Sequence, residues 1–182
     1  MQSKHARLDR FVSQRLGINR RDVRLLLAQG RVTVDGAAAL AVNQVIGEFT
    51  HVSVDKQVLQ QRSPHYIMMN KPEGVVSATR DKHHTTVIDL LDFPDVEGLH
   101  LVGRLDFNST GLMLLTNDGR WSRSLSGAGT SVLKQYRVEL EKPVTPDYID
   151  AFAKGMYFPY EDITTLPVQM KIIHEHCVEL GL

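Results

Sequence analysis

The 182-residue sequence predicts an α+β protein: a small α/β unit at the N-terminus, then a larger unit made mainly of sheet. Three observations carry this. Two apolar stripes at helical spacing open the chain, and short apolar runs bounded by turn residues dominate the rest. Between them lies the polar, proline-bearing stretch Gln60-Gln61-Arg62-Ser63-Pro64. A hydrophobic fraction of 42% and a charged fraction of 23% suit a globular chain long enough to bury a core. No apolar run approaches the ~20 residues that span a bilayer. The first residues lack the apolar core of a signal peptide, and the single Cys177 admits no internal disulfide. A reducing, cytoplasmic location with no membrane attachment is therefore expected.

The elements follow in order. Leu8, Phe11, Val12 and Leu16 mark one face of a helix over residues 7–16, which Gly17 ends in the left-handed conformation. Asn19 caps a second helix, with Asp22 in its first turn, Val23, Leu26 and Leu27 as its stripe and Gly30 past its end. Alternation at Val32 and Val34 with the pair Asp35-Gly36 reads as a strand and its turn, and Val45-Ile46 and residues 51–54 add further strands. After the linker, the apolar run 66–69 meets Lys71-Pro72-Glu73-Gly74, a type I turn pattern, so residues 75–79 are expected to return as a hairpin strand. Residues 87–91 suit a short helix, 99–105 and 111–116 strands, 121–125 a helix and 132–140 a strand. Thr145-Pro146-Asp147 starts a helix that Gly155 ends. Strands at 168–172 and 177–180 close the chain. His83 and His84 point in different directions, and His174 and His176 read as strand alternation with no third ligand, so no metal site is expected.

Formal net charge is zero but unevenly placed. Residues 1–31 hold eight basic side chains, seven of them Arg, against Asp9 and Asp22. A basic head on an acidic body suits a polyanionic partner, and the guanidinium fork suits phosphate. The run Gly103-Arg104-Leu105-Asp106-Phe107-Asn108-Ser109-Thr110-Gly111 brings an Arg and an Asp to a loop after a strand, where active-site carboxylates are often placed. From these residues alone, Asp106 is either such a group or a turn-stabilising Asp acting through Asn108 and Ser109.

Two stretches carry resemblances. Residues 7–36, with Arg7-Leu8-Asp9-Arg10-Phe11-Val12 and Gly30-Arg31-Val32-Thr33-Val34-Asp35-Gly36, resemble the S4 RNA-binding domain. That resemblance implies RNA contacts at Arg7, Arg20, Arg21, Arg24 and Arg31. The run around Asp106, Lys71-Pro72 and Lys134-Gln135-Tyr136-Arg137-Val138 resemble the RsuA-like branch of pseudouridine synthases. Asp118-Gly119-Arg120-Trp121-Ser122 and Phe152-Ala153-Lys154-Gly155 resemble its members that modify small-subunit (16S) ribosomal RNA.

The resemblances imply an S4-like domain at 1–60, a linker at 61–65 and a catalytic domain at 66–182 with a mixed, mainly antiparallel sheet. They imply Asp106 as catalytic carboxylate and Arg104, Tyr136 and Lys71 as substrate-binding residues. The implied enzyme is a monomer acting on ribosomal RNA, naked or in an assembling small subunit. The isomerisation oxidises nothing and imports no group, so no cofactor is expected.

The branch continues from its last strand into a Gly-Arg or Gly-Lys, a His-Gln and a basic helix, which set a cation beside the catalytic Asp. Residues 178–180 match up to that point and Gly181-Leu182 do not continue it. The expectation is thus a catalytic domain shortened at its C-terminus. Two alternatives accompany it: a catalytically impaired RNA-binding remnant, and a synthase acting on large-subunit (23S) RNA.

Overall fold

The structure, a computed structural model, describes residues 5–94, 96–127 and 132–182; Lys4, counted in the basic head, lies outside them. The chain divides into two compact units, Met1–Arg123 and Ser124–Leu182. Mixed α and β structure with antiparallel sheets is the architecture expected.

The first unit opens with β1 (His5–Arg7), α1 (Leu8–Leu16) and α2 (Arg20–Ala28). β2 (Val32–Val34), β3 (Ala37–Ala38), β4 (Val45–Gly47), β5 (Val52–Val54) and β6 (Gln57–Gln60) follow. Helix α1 has no side-chain cap; instead the Leu8 and Asp9 N–H groups donate to the Gln44 and Val42 carbonyls at 2.8 and 3.1 Å, which satisfies two otherwise orphaned donors. Gly17 ends it at φ 66°. The Asn19 carboxamide oxygen accepts from the Arg21 and Asp22 N–H groups and so caps α2. Asp35 and Gly36 both take positive φ, the conformation of a two-residue hairpin turn, between β2 and β3. The sheet order is β3-β2-β5-β6, and β1 pairs separately with β4. Leu8, Val12, Val23, Val32, Val34, Ile46, Val52 and Val54 form its core, each such side chain contributing roughly 1.5–3 kcal/mol by leaving water.

The same unit holds a second core built on β7 (Tyr66–Lys71), β8 (His100–Leu101) and β9 (Gly111–Thr116), in the order β7-β9-β8. Met113 and Leu115 face inward and pack with Val75 and Val87, while Leu112 is exposed, the period of two that a one-sided sheet requires. Helix α3 (Gly119–Ser126) follows. Three expectations are corrected here. Residues 75–79 do not return as a hairpin: β7 pairs with β9 along its whole length, and Val76 makes only an isolated parallel bridge to Thr86. Residues 87–91 form a turn rather than a helix, held by Thr86 and Asp89, whose side chains and N–H groups bond reciprocally. The strand expected over 99–105 is two residues long, because the chain leaves the sheet to form the loop that carries Asp106.

The second unit contains β10 (Gln135–Glu139), α4 (Pro146–Lys154), β11 (Tyr157–Phe158), β12 (Ile163–Thr164), β13 (Gln169–His174) and β14 (Cys177–Gly181). Its main sheet runs β10-β14-β13, with Cys177 and Val178 buried, and β11 and β12 form a small hairpin. His174 and His176 do not alternate along one strand: His174 ends β13 and His176 lies in the turn to β14. Among the described residues, no helix is long and apolar enough to cross a membrane.

Candidate active site and RNA-facing surface

The loop over residues 102–110 joins β8 to β9 and displays Asp106. Its shape is imposed from below. Lys71, the last residue of β7, is fully buried, and its ammonium donates to the carbonyls of Asp106 at 2.9 Å, Phe107 at 3.3 Å, Ser109 at 2.8 Å and Pro72 at 3.0 Å. Three N–H donors shared among four carbonyls draw the loop around one positive charge. Ser77 holds the residue before Asp106 at both backbone groups: its hydroxyl donates to the Leu105 carbonyl at 2.5 Å and accepts from the Leu105 N–H at 3.0 Å. The Gly74 N–H donates to the Phe107 carbonyl at 2.9 Å, from a φ of 78° that favours glycine. The His84 ring meets the Phe107 ring edge to face at 5.4 Å. His84 is itself held by Asp81, which accepts from the His83 and His84 N–H groups; these bonds keep the Asp81 carboxyl below its ordinary value.

This bracing gives Lys71 a structural place beneath the loop. Lys71 offers no surface to a substrate; its burial and its four carbonyl partners make it the support of the Asp106 loop. Gly103 takes a φ of 93°, which favours glycine, and a Cβ there would meet nothing within 4 Å. Asp106 itself is exposed, and among the described residues its carboxylate has no hydrogen-bond or ion-pair partner. Arg104 is likewise exposed, with no ion pair to Asp106. Tyr136 lies half-buried on β10 opposite Leu180, in the second unit. Ser77 escaped sequence reasoning, because a serine in an apolar run carries no sign of the backbone it will hold, and Gly74 was legible only as a turn residue.

The arginines of the head separate into two groups. Arg7 and Arg20 both bind Asp9, which is fully buried at the start of α1, with contacts between 3.0 and 3.3 Å. Burial works to raise the Asp9 carboxyl, but the two guanidinium groups outweigh it and hold it below its ordinary value. Arg31 pairs with Asp55 in a two-pronged, exposed contact at the end of the central β2–β5 pair and also reaches the Gln29 side chain. Arg21 and Arg24 are exposed on α2 and have no side-chain partner among the described residues. Arg15 lies over the Phe11 ring, 5.5 Å from its centre.

The first unit thus holds a carboxylate clear of partners on a braced loop and two arginines clear of side-chain partners on α2, among the described residues. Comparison with known proteins gives the class. The family described as RNA pseudouridylate synthase matches residues 65–166. A protein of Pseudomonas aeruginosa, "Ribosomal small subunit pseudouridine synthase A", is 46% identical over 177 residues, covering 97% of this chain and 77% of its own. Its namesake in Escherichia coli K12 is 39% identical with the same coverage. A solved pseudouridylate synthase structure superposes with a TM-score of 0.62 at 30% identity, covering 97% of this chain and 76% of that one. The chain belongs to the RNA pseudouridylate synthase family.

Proposed function

We propose that this protein converts one uridine of small-subunit (16S) ribosomal RNA to pseudouridine, with Asp106 as the catalytic carboxylate. The relatives above are named for small-subunit RNA, and the observation that carries the residue assignment is the fixed, exposed presentation of Asp106 by Lys71, Ser77 and Gly74. In the reaction the bond from N1 of the base to C1′ of the sugar breaks, the base turns, and C5 bonds to C1′. The C5 proton is then lost and N1 gains one. The chemistry asks of the protein one ionised carboxylate, which either attacks the sugar or base or removes a sugar proton. The target must leave its stack first, at a cost of ~ a few kcal/mol. Arg104, exposed one residue before the Ser77-held Leu105, is placed to fill the vacated space or hold a phosphate. Tyr136 keeps the role its motif implies, contact with the target base.

Residues 1–60 act as an S4-like RNA-binding domain, joined through 61–65 to a catalytic domain from residue 66; the separate cores on either side of that stretch support this division. Arg21 and Arg24, free on α2, are the foremost phosphate contacts, and the internal pairs of Arg7, Arg20 and Arg31 rank those three behind. The substrate places the enzyme in the cytoplasm, where it works as a monomer on naked RNA or an assembling subunit.

The test is Asp106→Asn. Pseudouridine formation, mapped by primer extension on each ribosomal RNA, falls by ~10³-fold or more, as loss of an essential nucleophile or base does, while RNA affinity stays within about twofold. Retained activity overturns the residue assignment, and modification of 23S rather than 16S RNA overturns the substrate.

A further inference from the structure

We propose that Glu139, His174 and Cys177 form a binding site for a divalent transition-metal ion, zinc by its ligand chemistry, which staples the three strands of the second unit's main sheet. The site is separate from the isomerase reading and does not depend on it.

The register creates the site. Cys177 on the central strand β14 pairs with Glu139 of β10 on one side and with His174 of β13 on the other. All three therefore stand at one level on one face. Neighbouring strands lie about 4.8 Å apart, so the outer two backbones are separated by roughly 10 Å. Yet the carboxylate oxygen, the ring nitrogen and the sulfur all lie within 4.8 Å of one another, so the two outer side chains lean inward over the thiol. Tetrahedral zinc, with bonds of about 2.0–2.3 Å, separates its ligand atoms by about 3.5 Å. Closing by about 1 Å is a rotamer adjustment for Glu139 and His174, which are exposed, around Cys177, which is 1% exposed.

The ligand set selects the ion. One thiolate, one imidazole and one carboxylate suit zinc and its borderline neighbours and not calcium or magnesium, which require oxygen ligands. The open face above the exposed pair admits a water as fourth ligand. On binding, the sulfur–hydrogen bond breaks, the proton goes to solvent and a sulfur–metal bond forms; thiolate and carboxylate together neutralise the ion. Burial, then the hydrogen bond with Glu139, holds the free thiol above its ordinary value, so the ion must displace a well-kept proton and affinity rises with pH. Arg137 and Glu179 also act on the sulfur, with opposite signs.

His176 is not one of the three converging groups; its ring lies elsewhere, with Nδ1 against the Leu140 carbonyl at 3.0 Å. His174 has one bond to give up, a long one of 3.3 Å from the His176 N–H to its Nδ1. Ligation through either ring nitrogen removes it, since Nδ1 is then occupied or protonated.

The experiment titrates the chelator-treated 182-residue protein with Co²⁺ and then competes it with Zn²⁺. One equivalent of Co²⁺ produces a thiolate-to-cobalt charge-transfer band, and Zn²⁺ abolishes it. His174→Ala and Glu139→Gln, both at exposed positions, each weaken binding at least tenfold, Cys177→Ser removes the band, and His176→Ala leaves it unchanged. Absence of the band in the unmodified protein overturns the proposal. So does binding that survives both His174→Ala and Glu139→Gln, or that depends on His176.

Discussion

Asp9 and Lys71 are both fully buried charges in the first unit, and the regions around them neutralise charge in opposite ways. In the head, Asp9 is met by the opposite charges of Arg7 and Arg20, both of which remain partly in water. Around Asp106, Lys71 meets no carboxylate among the described residues and instead donates to three carbonyls of the loop it supports and to that of Pro72. The Asp9 arrangement ties the start of α1 to the preceding strand and to α2, so its product is stability. The Lys71 arrangement fixes backbone around Asp106, so its product is geometry. A partner carboxylate would have neutralised Lys71 more simply, but it would have added a second negative charge beside Asp106, which disfavours the ionised form that the proposed reaction asks of it.

Four substitutions sharpen or break this contrast. Lys71→Met has the largest effect: it leaves four carbonyls without their donor and costs about 3 kcal/mol of stability. Urea unfolding measures that loss, and single-turnover kinetics at saturating RNA show activity falling beyond what the folded fraction explains. A stable and fully active Lys71→Met protein would break the contrast outright.

Asp9→Asn comes next, at about 2 kcal/mol, because its arginines can rehydrate. Here the effect is on folding alone, with kcat per folded molecule unchanged. It also has a pH signature. The folded Asp9 carboxyl lies below its ordinary value of 3.8, so its contribution is fully present above about that pH and is lost as pH falls through the lower folded value. The wild-type protein should lose stability on that acid limb more steeply than Asp9→Asn, as pH-dependent urea unfolding will show.

Ser77→Ala removes two hydrogen bonds to Leu105 and costs about 1–2 kcal/mol. Its more telling result is a fall in kcat with KM little changed, which Ser77→Thr partly restores. The smallest effect belongs to the exposed Arg31–Asp55 pair: Arg31→Ala leaves the unfolding midpoint near wild type, as exposed ion pairs usually do. By comparison, the double change Arg21→Ala with Arg24→Ala leaves stability alone but weakens RNA binding and flattens its salt dependence.

Most local structure was legible along the chain. Asn19 as a cap, Gly17 and Gly30 as helix stops, Asp35-Gly36 as a turn and Thr145-Pro146 as a helix start all appear where the residues place them. Each depends on an interaction within a few residues, which sequence order contains directly. Residues 75–79 read as a strand by the same logic and are not one. Their β propensity is overridden by tertiary contacts that take Val75 into the core and Ser77 to Leu105, while β7 pairs with β9, over thirty residues away.

The sequence by itself determined the fold class, the basic head and the run around Asp106, because composition and short-range pattern suffice for these. Only the tertiary structure decided what the charged residues do. Arg20 meets Asp9 from eleven positions away, Lys71 meets the Asp106 carbonyl from thirty-five, and Glu139 converges with Cys177 from the neighbouring strand. A charge announces in sequence that it needs a partner or water; strand register and burial choose which it receives.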